Sequence, residues 1–113
     1  MRELVNIFKA LSDSNRLRIL KMLENRSLCV CEITSVLKLA PSTISKHLSI
    51  LRQANLIMDE KVGKWVNYRL NKDKYQSYTP EILKLLYHWL PSDETITRDK
   101  QLVEKVDRHQ LCA

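Results

Sequence analysis

The stretch Pro41-Ser42-Thr43-Ile44-Ser45-Lys46-His47-Leu48-Ser49-Ile50-Leu51-Arg52-Gln53 decides how the chain is read. Ile44, Leu48 and Leu51 recur at the three- and four-residue spacing of one helix face. Pro41 suits the first helical position, where its missing N–H satisfies nothing anyway. The opposite face then carries Ser42, Lys46, Ser49 and Gln53, flanked by Thr43, Ser45 and Arg52. Short hydroxyl side chains allow close approach to a surface, a lysine meets phosphate or guanine, and a glutamine amide offers donors and acceptors to base edges. An ordinary solvated helix is polar too, so the neighbouring segments must decide between the two readings.

Upstream, a helix starting near Cys29 to Glu32 buries Ile33, Val36 and Leu37, and Lys38-Leu39-Ala40 forms a short turn before Pro41. This is a helix-turn-helix layout. Two further helices open the chain. The first spans Glu3 to Leu11, with Leu4, Val5, Phe8 and Leu11 at helical spacing. The second is capped by Asp13 or Ser14 and runs through Leu17, Leu20 and Leu23. Downstream, Leu56 to Leu70 changes period, with Val66, Tyr68 and Leu70 alternating with Trp65, Asn67 and Arg69. Gly63, the only glycine, supplies the turn of a β-hairpin. Lys61 and Lys64 flank that turn, where a wing reaches the DNA backbone or minor groove. His47, at the border of the buried stripe, is a packing or phosphate-contacting residue rather than a catalyst. Arg16 and Arg18 either contact phosphate or solvate the second helix.

From Pro80 a helix carries Ile82, Leu83, Leu85, Leu86, Trp89 and Leu90, a stripe wide enough for both the core and a partner subunit, and Pro91 ends it. The expected fold is mainly α (α+β): a winged helix-turn-helix with a two-stranded wing, assembled as a homodimer. Residues 1–91 form the DNA-binding and dimerisation domain, and residues 92–113 a charged tail, loosely helical or partly disordered. A two-fold dimer presents two such helices to successive major grooves, so an inverted-repeat operator and steep salt dependence are expected.

Composition agrees with an anionic partner: 113 residues carry a formal net charge of +6. No apolar run spans a bilayer and residues 1–10 lack a signal-peptide pattern, so a soluble, cytoplasmic protein is expected. No phosphate-binding loop and no nucleophile joined to a positioned base is visible, which argues against an enzyme.

Three cysteines form no disulfide framework. Cys29 and Cys31 stand at the expected helix start, where N–H groups and the helix dipole lower thiol pKa values and favour the thiolates that bind soft metals and metalloids. Residues two apart on a regular helix point about 200° away from each other, so joint chelation requires a distorted helix start. Buried cysteines that merely fill space are the plain alternative.

Leu28-Cys29-Val30-Cys31-Glu32-Ile33, Pro41 to Leu48, Gly63-Lys64-Trp65-Val66-Asn67-Tyr68-Arg69-Leu70 and the opening Ala10 to Leu20 together resemble the arsenical-resistance repressor (ArsR) family over roughly Leu4 to Leu90. The resemblance implies a homodimeric winged-helix repressor of a metalloid-detoxification operon, released from DNA by arsenite or antimonite bound at Cys29 and Cys31. One departure stands out. Relatives of the best-known type carry a third cysteine three residues after the second, where this chain has Thr34. Cys112 is a candidate third ligand, within a subunit or across the dimer, or else a terminal thiol without a role. Asp107-Arg108-His109 resembles part of a zinc site of related sensors but lacks its later partners. The remaining alternatives are a cadmium- or lead-responsive repressor, a thiol-redox switch using Cys29 and Cys31, and a dimerising protein-interaction module without DNA binding.

Overall fold

A computed structural model describes residues 1–111. Helix α1 (Arg2–Leu11) leads into α2 (Ser14–Met22), a short strand β1 (Leu28–Cys29), then α3 (Val30–Leu37) and α4 (Pro41–Gln53). Strands β2 (Ile57–Val62) and β3 (Trp65–Leu70) follow, then α5 (Thr79–His88), α6 (Glu94–Lys105) and α7 (Arg108–Leu111). Asp13 caps α2, accepting from the N–H groups of Asn15 at 2.8 Å and Arg16 at 3.1 Å. Burial works against ionising that carboxyl, but the two N–H donors and the charges of Arg16 and His47 win and hold its pKa below the ordinary aspartate value.

The core is built from Ile19, Leu20 and Met22 of α2, Ile33 and Val36 of α3, and Ile44, Leu48 and Leu51 of α4, closed by Leu28, Leu56 and Ile57. The α3 and α4 stripes are those expected from spacing. In α1 the face differs: Ile7 and Ala10 are buried while Val5 and Phe8 are exposed. The periodic set Leu4, Val5, Phe8 and Leu11 thus includes the helix's outward edge.

Lys38 adopts φ 57° at the end of α3, and Asn55 adopts φ 64° after α4. Asn55 is the left-handed stop of α4, and its carbonyl accepts from Asn71 Nδ2 and Thr79 Oγ1, both at 3.0 Å. The end of α4 is thereby tied to the exit of β3 and the start of α5.

The hairpin has the expected turn, with Gly63 at φ 60° and β2 antiparallel to β3 from Ile57↔Leu70 to Val62↔Trp65. The sheet has a third strand that periodicity did not reveal. β1 pairs with β3 at Leu28↔Tyr68 and Cys29↔Asn67, giving the order β1-β3-β2.

Helix α5 ends at His88, three residues before Pro91. Lys21, 2% exposed, reaches across from α2 and donates to the carbonyls of Leu86 at 2.8 Å and Trp89 at 2.9 Å, satisfying the orphan acceptors of that helix end. Beyond it α6 is packed rather than loose: it lies against α2 and α3, with Ile96 and Val103 buried. Asp99, 1% exposed, accepts two bonds from Arg18 at 2.8 and 2.9 Å. Lys100 Nζ lies 2.8 Å from Glu24, which Lys21 also pairs at 3.0 Å. Among the described residues no helix is long and apolar enough to cross a membrane.

Candidate functional site

Helix α4 turns Ile44, Leu48 and Leu51 inward and leaves Ser42, Ser45, Lys46, Ser49, Arg52 and Gln53 exposed, with Thr43 and His47 half-buried at the edges. Several of the candidate DNA-reading side chains have local partners: Gln53 Nε2 reaches Ser49 Oγ at 3.5 Å, and Lys64 Nζ lies 4.8 Å from the centre of the Trp65 ring. Arg52 Nε lies 2.7 Å from Asp59 Oδ1 on β2, which ties the last turn of α4 to the wing. Arg16 Nη1 lies 3.2 Å from His47 Nδ1. A guanidinium can only donate, so in this contact Nδ1 is the accepting side. Arg16 also donates through Nε to the Ala10 carbonyl at 2.7 Å, so it works as a brace between α1 and α4. Arg18 faces Asp99, whose hydrogen bonds raise its pKa above the usual arginine value. Neither arginine is simply a solvated side chain of α2. Lys61 and Lys64 are both exposed on either side of Gly63.

The cysteines are arranged differently from the sequence expectation. Cys29 lies outside the helix, as the last residue of β1 and the N-cap of α3, with extended backbone (φ −90°, ψ 169°). The 200° separation of two helical residues therefore does not govern the pair. Cys29 donates its N–H to Glu32 Oε1 at 3.0 Å, and its sulfur accepts from the Glu32 N–H, a reciprocal capping box. Glu32 is itself buried and paired with Arg26. Cys29 is 3% exposed. Burial pushes its pKa up and the Glu32 carboxylate adds to the rise, outweighing the N–H groups at the helix start. The expected lowering of the thiol pKa is thus reversed at Cys29. Cys31, the second residue of α3, is half-buried. One turn on, Thr34 Oγ1 is buried without a hydrogen-bond partner among the described residues. The proposed ligand Cys112 lies outside the described residues.

No signal in local periodicity could have found β1, because two residues are too few to show a period. Its consequence is functional: the backbone of Cys29 is registered opposite Asn67 of the wing.

An exposed polar helix on a helical platform, with an antiparallel hairpin beside it, is the architecture of a winged helix-turn-helix DNA-binding regulator. The family described as "Bacterial regulatory protein, arsR family" matches residues 13–59. The chain belongs to the ArsR family of bacterial transcriptional regulators. It is 42% identical to the arsenic resistance transcriptional regulator ArsR1 of Pseudomonas putida, over 65% of this chain and 60% of that protein. It is 35% identical to the arsenical resistance operon repressor of Bacillus subtilis, over 77% of this chain and 84% of the relative. Among solved structures, HlyU from Vibrio cholerae superposes with a TM-score of 0.64 at 32% identity, covering 76% of this chain and 89% of that one. The chain spans about 60% of the length of the first curated relatives it matches.

Proposed function

We propose that this chain is a cytoplasmic, homodimeric repressor of an arsenic-resistance operon that leaves its operator when As(III) or Sb(III) is captured by Cys29 and Cys31. The observation that carries the reading is the position of Cys29: N-cap of the helix that packs on α4, and strand partner of the wing. The arsenic resistance regulators among the relatives support the choice of inducer.

In this reading the exposed face of α4 enters the major groove. Ser42, Thr43, Ser45 and Ser49 allow close approach, Lys46 and Arg52 meet phosphate or guanine, Gln53 reads base edges, and His47 is held by Arg16 at the rim. Lys61 and Lys64 add backbone contacts from the wing. The partner copy covers the apolar side chains that α5 and its end leave exposed, Leu85, Tyr87, Trp89 and Leu90, and two copies related by a two-fold axis match an inverted repeat.

In the reduced protein, two thiols two residues apart suit a thiophilic trigonal ligand, and the extended backbone at Cys29 frees its sulfur from helical geometry. Binding must withdraw the Cys29 sulfur from its capping box with Glu32, which removes about 1 kcal/mol of cap stabilisation from the first turn of α3. Because α3 supports α4 and β1 is hydrogen-bonded to β3, loosening that turn moves both DNA-contacting elements at once. The ligand drives release to the extent that it binds the loosened conformer more tightly. Cys112 or a small cellular thiol completes the ligand set.

The test is arsenite binding by the reduced protein. One equivalent bound per subunit, lost in both Cys29→Ser and Cys31→Ser, is expected. Undiminished binding by either variant would remove that thiol from the site.

A further inference from the structure

Helix α7 lies against the wing. Arg108 Nη1 donates to Asn67 Oδ1 at 2.6 Å, and its guanidinium sits 4.4 Å from the centre of the Trp65 ring. His109 meets the same indole edge-on at 4.9 Å. The wing needs such support, because among the described residues β1 pairs only with Tyr68 and Asn67 and leaves the outer half of β3 strand-paired with Lys61 and Val62 of β2 alone. The support has a firm base: α7 packs on α3, and α6 before it is pinned to α2 by Arg18–Asp99 and to the turn after α2 by Glu24–Lys100.

We propose that Arg108 is a positioning residue for DNA binding, bracing the outer wing through Trp65 and Asn67 so that Lys61, and Lys64 whose Nζ lies 4.8 Å from the centre of the same indole, are held ready for the phosphate backbone. A wing already ordered in the unbound protein loses less conformational freedom on binding, which is how a residue that touches no DNA raises affinity. Trp65 is the natural contact, since a planar cation over an indole face is attracted by the ring quadrupole while the fork still reaches the Asn67 carbonyl oxygen. The proposal rests on the reading of the wing as a DNA contact and is independent of which ligand the cysteines take.

A double-mutant cycle on operator affinity tests it. Arg108→Ala is expected to weaken binding about fivefold, and Arg108→Lys, which keeps a cation on Trp65, to restore most of the loss. In a Lys61→Ala/Lys64→Ala background Arg108→Ala should have no further effect, because the brace then holds nothing that touches DNA. In a Trp89→Phe background, Trp65 emission should shift to the red when Arg108 is removed. Losses that simply multiply would make Arg108 a phosphate ligand in its own right and overturn the brace, as would an Arg108→Ala affinity within twofold of the parent. Wing alanines that bind like the parent would remove the wing reading, and the brace with it.

Discussion

The outer face of α4 and the first turn of α3 are neighbours built on opposite plans. Within the protein, the α4 face makes the Arg52–Asp59 pair, the Arg16–His47 contact at its edge and a long 3.5 Å contact between Gln53 and Ser49, and among the described residues otherwise stands open. The start of α3 is held several times over: Cys29 is buried, boxed by Glu32, which is paired to Arg26, and registered on β3. A surface that reads a partner must keep its donors and acceptors available. A site that changes state on binding a ligand must have native contacts to lose, since only differential binding to two states can shift their balance.

The largest expected effect separates the two regions completely. Cys29→Ser and Cys31→Ser should each abolish arsenite-induced release in reductant while operator affinity in the absence of arsenite stays within twofold. Loss of operator binding in the same variants would show the regions to be one site. Next comes the backing of α3. Arg18→Ala leaves the Asp99 carboxylate buried without its partner and should cost about 3 kcal/mol in urea unfolding. On the open side, Lys46→Ala should weaken operator binding about tenfold and reduce the salt slope by about one. An unchanged slope would take Lys46 away from the phosphates.

Smaller effects refine the picture. Asp13→Ala removes the α2 cap and should cost about 1 kcal/mol near neutral pH. The Asp13 carboxyl has a folded pKa below its unfolded value, so its contribution is present above the ordinary aspartate range and is lost as pH falls through the lowered folded pKa. The stability gap between parent and variant should therefore close in acid, and a gap that stayed constant would contradict the assignment. Thr34→Val replaces a buried hydroxyl that has no partner among the described residues with a methyl group and should be neutral or stabilising, by up to about 1 kcal/mol in thermal unfolding. Thr34→Cys should lower the arsenite concentration needed for release.

The same contrast explains what could be read from the sequence. The face of α4 is a matter of local periodicity, and Ile44, Leu48 and Leu51 announce it, as Gly63 announces the hairpin turn. The position of Cys29 depends on a pairing with Asn67, 38 residues on, carried by a strand of two residues. The docking of α6 was equally hidden. Its polar sequence suggests a loose tail, but Asp99 meets Arg18 81 residues away, and Lys100 meets Glu24 at a separation of 76. In α1 the spacing was helical but the choice of face depended on packing against α2 and α4, which brought Ile7 and Ala10 inside and left Phe8 out. The chemistry of Cys29 was legible by residue type, whereas its raised pKa follows from burial and from Glu32, which only the fold brings into place.

The most direct test of the central claim is fluorescence anisotropy of the reduced protein on inverted-repeat DNA from its own upstream region, titrated with arsenite and, in parallel, with cadmium and zinc. The account predicts tight, salt-sensitive binding and release at about one arsenite per subunit. Tight binding that arsenite leaves unmoved would contradict thiol-controlled release while leaving the DNA-binding regulator in place.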